Sequence, residues 1–260
     1  MKIIVCVKQV IDTAAKIGVK DGNIDASGSP RVMNPYDEFA VEEALRIKAK
    51  KPGSLITLFS LGPESFKEVL KTGLAMGADK AIHLNDASFE DLDNLSVAQA
   101  LALAIKTQTF DLILCGRQAV DDDMAGVGPA LAVFLDIPFV SVITEMAFSE
   151  DYQQAIITRQ IEGGSEVLES SLPLLVTCQK GLNTPRLPSL KGIIAARKKQ
   201  IEVMNAETIG FDPGFLGPAR VRQVDLSLPP ARKKGRILEG PLKESLPKLV
   251  RLLREEEKVI

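Results

Sequence analysis

Phe110-Asp111-Leu112-Ile113-Leu114-Cys115-Gly116-Arg117-Gln118-Ala119-Val120-Asp121-Asp122-Asp123-Met124-Ala125-Gly126-Val127-Gly128-Pro129 is the stretch on which the fold turns. Phe110 to Cys115 is a short apolar run and reads as a buried parallel strand. Ala125 to Leu135 carries a helical apolar period. Between them lies a loop of small residues with aspartates at the helix entrance. A strand, a small-residue loop and a helix in this order form the place where open α/β sheets take up anionic ligands. The first N–H groups of a helix lack internal partners, and the dipole makes that end partly positive. A phosphate satisfies both if the side chains there are as small as Ala125, Gly126 and Gly128. The expected arrangement has Asp123 capping the helix while the N–H groups of Met124 to Gly128 face the anion.

The segments on either side repeat the pattern. Lys2 to Lys8 reads as a first strand. Asp21-Gly22 is a turn signal between Ile17-Gly18-Val19 and Asn23-Ile24-Asp25, a short hairpin. Asn34-Pro35 opens a helix, with Asn34 as cap, Pro35 in its first position and Asp37 and Glu38 in its first turn. Ser54 to Leu61 is a second strand, Glu64 to Met76 a helix, Ala81 to Leu84 a strand, Asp91 to Lys106 a helix and Ile137 to Ile143 a strand. This alternation predicts an α/β fold, Rossmann-like and doubly wound, with a mostly parallel sheet. Right-handed crossovers bring three segments to the carboxyl edge of the sheet: the loop after the first strand, Leu61-Gly62-Pro63, and Gly116 to Gly128. Their convergence marks a ligand site.

The second half differs. Ala155 to Ile161 and Glu166 to Ser171 flank Glu162-Gly163-Gly164 and predict an antiparallel hairpin. Pro173 to Thr177 is a further strand. Lys180 to Gly192 is broken by Pro and Gly, and a basic helix is expected over Ile193 to Lys199. Residues 205–240 read as an extended arm, with one short strand near Val221 to Val224. A last helix is expected from Ser245 and Pro247, with Leu246, Leu249, Val250 and Leu253 as its stripe. The boundaries are residues 1–204 for the α/β nucleotide-binding domain, with hairpin 155–171 and loop 183–192, and 205–260 for the arm and helix.

Composition narrows the function. The chain has 260 residues and a net charge of −2, which gives no reason to expect nucleic acid as a partner. No apolar run reaches the roughly 18 residues of a membrane span, so direct membrane insertion is not expected. Met1 to Lys8 reads as a strand and not a targeting segment, and the expected location is cytoplasmic. Cys6, Cys115 and Cys178 are widely spaced and read as reduced core thiols. His83, the one histidine, sits in a predicted strand and reads as structural; with these residues no metal site and no catalytic triad is expected. The chain lacks a Gly-x-x-x-x-Gly-Lys-Ser/Thr loop and a glycine fingerprint after its first strand. A nucleotide would therefore be bound here without phosphate chemistry. Leu190, on the proline-stiffened stretch Arg186 to Lys191, is either a partner anchor or a residue folded back into the core. The runs Arg197-Lys198-Lys199 and Arg232-Lys233-Lys234 read as solvated faces.

Several motifs together resemble the electron transfer flavoprotein β-subunit family. They are Val7-Lys8-Gln9-Val10-x-Asp12, Met33-Asn34-Pro35-x-Asp37-x-x-Ala40-Val41-Glu42-Glu43-Ala44, Ala75-Met76-Gly77-Ala78-Asp79, Gly116-x-Gln118-Ala119-x-Asp121-x-Asp123, Arg159-x-Ile161-Glu162-Gly163-Gly164, and Asn183-x-Pro185-Arg186 continuing through Ser189-Leu190-x-Gly192-Ile193-x-Ala195-Ala196-x-Lys198-Lys199. The resemblance runs from about residue 1 to about residue 255. It implies a non-enzymatic electron carrier subunit, half of a heterodimer whose α partner carries the redox FAD. Such carriers take electrons from dehydrogenases, often acyl-CoA dehydrogenases of fatty acid β-oxidation, to a membrane quinone oxidoreductase. The residues matching the family's nucleotide pocket are Cys6, Asn34, Pro35, Tyr36, Asp37, Leu61 and Gly116 to Val127. Leu190 matches the leucine that docks on the dehydrogenase, with Arg186 and Lys191 beside it.

One branch of the family holds structural AMP in the β chain. The other holds a second FAD and bifurcates electron pairs from NADH. Bifurcating members resemble Asp-Gly-Asp-Thr where this chain has Asp121-Asp122-Asp123-Met124, and that difference favours AMP. Ala125-Gly126-Val127-Gly128-Pro129 is closer to the bifurcating pattern. A stand-alone nucleotide-binding module without a redox role is the further alternative, against which the proline-rich arm speaks.

Overall fold

The computed structural model describes residues 1–216, 219–221, 224–231 and 235–260. In chain order the elements are β1 (Lys2–Cys6), β2 (Gln9–Ile11), β3 (Gly18–Lys20), β4 (Asn23–Asp25), β5 (Arg31–Met33), α1 (Pro35–Lys50), β6 (Leu55–Leu61), α2 (Lys67–Met76), β7 (Lys80–Leu84), α3 (Asn94–Ile105), β8 (Leu112–Gly116), α4 (Val127–Leu135), β9 (Phe139–Phe148), β10 (Gln154–Ile161), β11 (Gly164–Ser171), β12 (Leu174–Cys178), α5 (Leu190–Ala196), β13 (Ile201–Met204), α6 (Ala206–Ile209) and α7 (Leu242–Glu255). Nine strands make one sheet in the order β11-β10-β9-β12-β8-β1-β6-β7-β13. All neighbouring pairs run parallel except β9–β10 and β10–β11, which form an antiparallel wing. This is the expected doubly wound α/β fold.

The central strands are apolar on both sides because helices cover both faces. Ile3 and Val5 of β1 and Leu112 and Leu114 of β8 pack beneath α1 and α2. Ile4, Ile113 and Cys115, from the same strands, pack beneath α3 and α4. Each strand therefore reads as a continuous apolar run. From β1 the chain moves through α1 to β6 and β7. It then returns through α3 to β8, on the other side of β1. The strand order reverses between β1 and β8, and the crevice that opens there is the ligand site of open α/β sheets.

Several elements depart from the sequence reading. β2 and β5 pair antiparallel across the segment expected to be irregular. β12 inserts between β9 and β8. The insertion bends β9: Val142 adopts φ 59°, and its N–H donates to Thr177 Oγ1 at 3.0 Å. α3 begins at Asn94, after an Asp93 cap, rather than at Asp91. α5 begins at Leu190, with Ser189 Oγ accepting from the Gly192 N–H at 3.0 Å, so the helix predicted over Ile193 to Lys199 starts earlier. α7 begins at Leu242 and encloses Pro247; none of its side chains is buried.

Past the expected boundary at residue 205 the chain still packs on the sheet: α6 follows β13 with Ile209 buried, Phe211 packs edge-to-face on Phe89 at 5.4 Å, and the Arg220 N–H donates to Asp93 at 2.6 Å. Val221 and Val224 are not in a strand; Arg222, Gln223 and the run Arg232-Lys233-Lys234 lie outside the described residues. Cys6, Cys115 and Cys178 are free and buried. Among the described residues no helix is long and apolar enough to cross a membrane.

Candidate functional site: a cavity at the switch point

A cavity of about 290 Å³ opens at the carboxyl edge of the sheet, where the strand order reverses. The ends of β1 (Cys6), β6 (Leu61) and β8 (Gly116) form its floor. The segment that follows β8 wraps one side and the start of α3 the other.

Of the predicted residues, Cys6, Asn34, Asp37, Leu61, Gly116, Arg117, Gln118, Ala119, Asp122, Ala125, Gly126 and Val127 line this cavity. Pro35, Tyr36, Val120, Asp121, Asp123 and Met124 do not. Pro35 and Tyr36 form the first turn of α1, and Tyr36 packs behind Gly116. Asp121 turns to Lys8 Nζ, 2.8 Å away. Met124 is exposed to solvent. Gly62 and Gly128, on two of the segments expected to converge, line it as well. The sequence reading missed Lys8 and Ser60, and with them a whole wall built of Phe89, Asp91, Leu92, Asn94, Val97 and Leu101. The signal for that wall was Asp93-Asn94, a cap at a fourth strand-to-helix connection on the same edge.

The loop is clasped from behind by two residues of the Asn34-Pro35 helix start. Asn34 stands at the N-cap position of α1, as expected, but its side chain makes no capping bond there. Its Nδ2 donates to Gln118 O and to Asp37 Oδ1, both at 2.9 Å, and its Oδ1 accepts from the Val120 N–H at 3.2 Å. The Asp37 carboxylate accepts from the Lys8 N–H at 2.7 Å and from the Gly116 N–H at 3.2 Å. Two buried side chains thus tie the end of β1, the start of α1 and the exit of β8 together. Burial pushes the Asp37 carboxyl up to about 7, against the pull of its three N–H donors and Lys8. Gly116 has no room for a side chain here. A Cβ would lie 2.2 Å from Asp37 Oδ1 and 2.9 Å from the Asp37 backbone nitrogen.

The aspartates are committed within the loop. Asp123 does not cap α4; it accepts from Gln118 Nε2 at 2.6 Å. Asp122 accepts from the Met124 N–H at 3.0 Å, which removes that donor from the predicted anion-facing set. Helix α4 starts at Val127 with no side-chain cap. Asp123 and Ala125, both at φ 51°, turn the chain so that the helix start faces the cavity. Among the described residues no protein acceptor meets the N–H groups of Ala125, Gly126, Val127 and Gly128. Pro129 contributes no donor. Gly128 is held against β12, where a Cβ would meet Thr177 Cγ2 at 2.6 Å. The result is a concave surface of free backbone donors, suited to an anion. Lys8 also lines the cavity, with its ammonium paired to Asp121 at 2.8 Å and Asp122 at 3.6 Å.

His83 is buried and its Nε2 lies 3.0 Å from Gly62 O; burial lowers its pKa and keeps it neutral. The neighbouring Cys6 thiol and burial raise the Cys115 thiol well above its usual range, and burial raises Cys178 likewise, which disfavours the thiolate of both.

The electron transfer flavoprotein domain model matches residues 21–209. The chain belongs to the electron transfer flavoprotein β-subunit family. It is 40% identical over 261 residues to the electron transfer flavoprotein subunit beta of Bacillus subtilis, with all of both chains covered. It is 38% identical to the subunit beta of Mus musculus, over 90% of this chain and 91% of the relative. It is also 40% identical to the Caffeyl-CoA reductase-Etf complex subunit CarD of Acetobacterium woodii, over 98% of this chain and 99% of the relative. β subunits of this family are electron carriers that pair with an α subunit in a flavin-containing complex.

The partner-facing residues predicted from the family resemblance separate in the structure. Leu190 is 76% exposed at the start of α5, and Lys191 is exposed beside it. Arg186 instead points back into the fold, paired to Glu42.

Proposed function

We propose that the switch-point cavity holds one adenosine monophosphate as a structural ligand. The chain then serves as the β subunit of a carrier that moves electrons from acyl-CoA-type dehydrogenases to a membrane quinone oxidoreductase. The observation that carries the reading is the set of free N–H groups from Ala125 to Gly128, presented to a cavity of about 290 Å³. That volume is at the small end of the range for ligand sites and suits a mononucleotide better than a dinucleotide. The residues fit the group. Gly116 and Gly126 keep the wall free of side chains, the N–H groups of Ala125 to Gly128 would hold the phosphate, and Phe89, Leu92, Val97 and Leu101 offer an apolar wall for a base. The ligand would stiffen the edge on which the α partner and its FAD sit, and no residue of this chain would act as an acid, base or nucleophile.

The exposed Leu190 would dock on the dehydrogenase, with Lys191 beside it. The exposed stripe of α7, including Leu246, Leu249 and Val250, would be covered by the α subunit. A second FAD in place of AMP is the rival, favoured by the small residues Ala125-Gly126-Val127-Gly128. Acid extraction of the purified heterodimer decides between them. One FAD and one AMP per heterodimer is the expected yield; two FAD and no AMP would overturn the reading and favour bifurcation.

A further inference from the structure

Helix α1 holds two loops, not one. Its first turn clasps Gly116 through Asp37. One and two turns further on, the same helix grips the segment that leads to Leu190. Glu42 is buried, and both its oxygens face Arg186: Nε donates to Oε2 at 2.7 Å and Nη2 to Oε1 at 2.9 Å. The Arg186 backbone N–H adds a third bond to Oε2 at 3.2 Å. Beside it, Asn183 Nδ2 donates to Phe39 O and to Glu43 Oε2, each at 3.0 Å. Immediately beyond this grip, the chain exposes Leu187 at 90% and Leu190 at 76%. The far end of the surface is fixed by Gly192, where a Cβ would lie 2.1 Å from Ala75 O at the end of α2.

Two large apolar side chains are thus displayed in water by a short segment that is pinned on both sides. A fork-to-fork guanidinium–carboxylate pair fixes orientation as well as distance. An exposed ion pair would contribute little, but here the carboxylate is buried and accepts three bonds from one residue.

We propose that Glu42 is the positioning residue of the Leu187–Leu190 surface, and that α1 sets this surface in register with the switch-point cavity. The inference rests on the reading that this surface docks an electron donor. Its physical content is preorganisation: a loop already held in its docking shape loses less freedom when the partner arrives. Arg186 then acts through the fold and does not itself touch the partner.

The test uses the purified heterodimer carrying Glu42→Ala or Arg186→Lys, with Leu190→Ala as the reference. Arg186→Lys keeps the charge but loses the fork, and it changes a half-exposed side chain, so it remains informative should Glu42→Ala fail to fold. The first readout needs no donor. Hydrogen exchange over residues 183–194 should quicken in both variants, while the flavin absorption spectrum stays that of the wild type. The second uses an acyl-CoA dehydrogenase reduced by its substrate. Its KM for the heterodimer should rise roughly three- to tenfold, with turnover at saturation retained, because ordering the loop then falls on the docking step. Unchanged exchange over 183–194 in both variants would overturn the positioning role by itself. An unchanged KM in both variants, alongside a raised KM for Leu190→Ala, would overturn its link to docking while leaving the docking reading intact. An unchanged KM for Leu190→Ala would overturn the docking reading, and this inference with it.

Discussion

Substituting Gly116 by alanine tests whether the loop after β8 is held as described. A Cβ at this position would lie 2.2 Å from Asp37 Oδ1, 2.8 Å from Tyr36 Cβ and 2.9 Å from the Asp37 backbone nitrogen. The carboxylate could rotate, but the helix backbone behind it cannot, so β8 or α1 must move. Overpacking of this kind costs about 1–3 kcal/mol. The movement also breaks the bond from the Gly116 N–H to the Asp37 carboxylate, about 1.5–3 kcal/mol for a charged acceptor. The combined loss is about 3–5 kcal/mol, a large share of a domain's stability. For a chain of this size it corresponds to a melting temperature lower by roughly 10 °C. Gly164→Ala is the control, since this residue opens β11, away from the cavity, and its Cβ would meet nothing within 4 Å. It should melt within about 2 °C of the wild type. Scanning calorimetry of the purified heterodimers measures both, and nucleotide content after gel filtration reports the loop directly. Gly116→Ala should retain little nucleotide. If the two variants melt alike and both keep their nucleotide, the clasp between Asp37 and Gly116 does not shape the site.

Further outcomes follow from the same geometry. Asp37 is pushed up to about 7 by burial, above its unfolded value of about 3.9, so its proton is held more tightly in the folded chain. Its contribution to stability is therefore full below pH ~4 and lost as the pH rises through ~7. Wild-type stability relative to Asp37→Asn should fall by about 4 kcal/mol across that window and stay level above it, which melting curves at graded pH would show; a pH-independent difference would contradict the burial argument. Ala125→Gly relieves a left-handed backbone at φ 51° and should raise the melting temperature by a few degrees, about 1 kcal/mol, measured by the same calorimetry. Leu190→Ala should slow reduction of the heterodimer by an acyl-CoA dehydrogenase in stopped-flow absorbance while its melting curve is unchanged, because the side chain is exposed.

The parallel sheet was legible because its strands are short apolar runs and its helices carry a 3.6-residue period. The β10–β11 hairpin was legible from Gly163-Gly164. What escaped was non-local. Nothing in Leu174 to Cys178 announces that this strand slips between β9 and β8, since pairing partners leave no local mark in a strand buried on both faces. The reading of Asp123 as a cap failed because Asp123 and Ala125 both adopt positive φ, and the helix starts four residues after Asp123. Asn34 was read as a cap for the usual reason, yet its side chain serves the loop after β8, 84 residues away. Glu42 resembles any solvent-facing helix glutamate; only the fold brings Arg186 to it. The cavity floor was found because three strand ends share one edge. Its far wall was missed because Phe89 to Asn94 read as part of a helix and its approach.

The central claim is that the free N–H groups of Ala125 to Gly128 hold the phosphate of a mononucleotide. Electron density from crystals of the heterodimer with its native nucleotide tests it most directly. The account predicts a phosphate within hydrogen-bonding distance of the Gly126, Val127 and Gly128 nitrogens, and a base against Phe89 and Leu101. A flavin ring in the cavity, or a phosphate bound away from the start of α4, would contradict it.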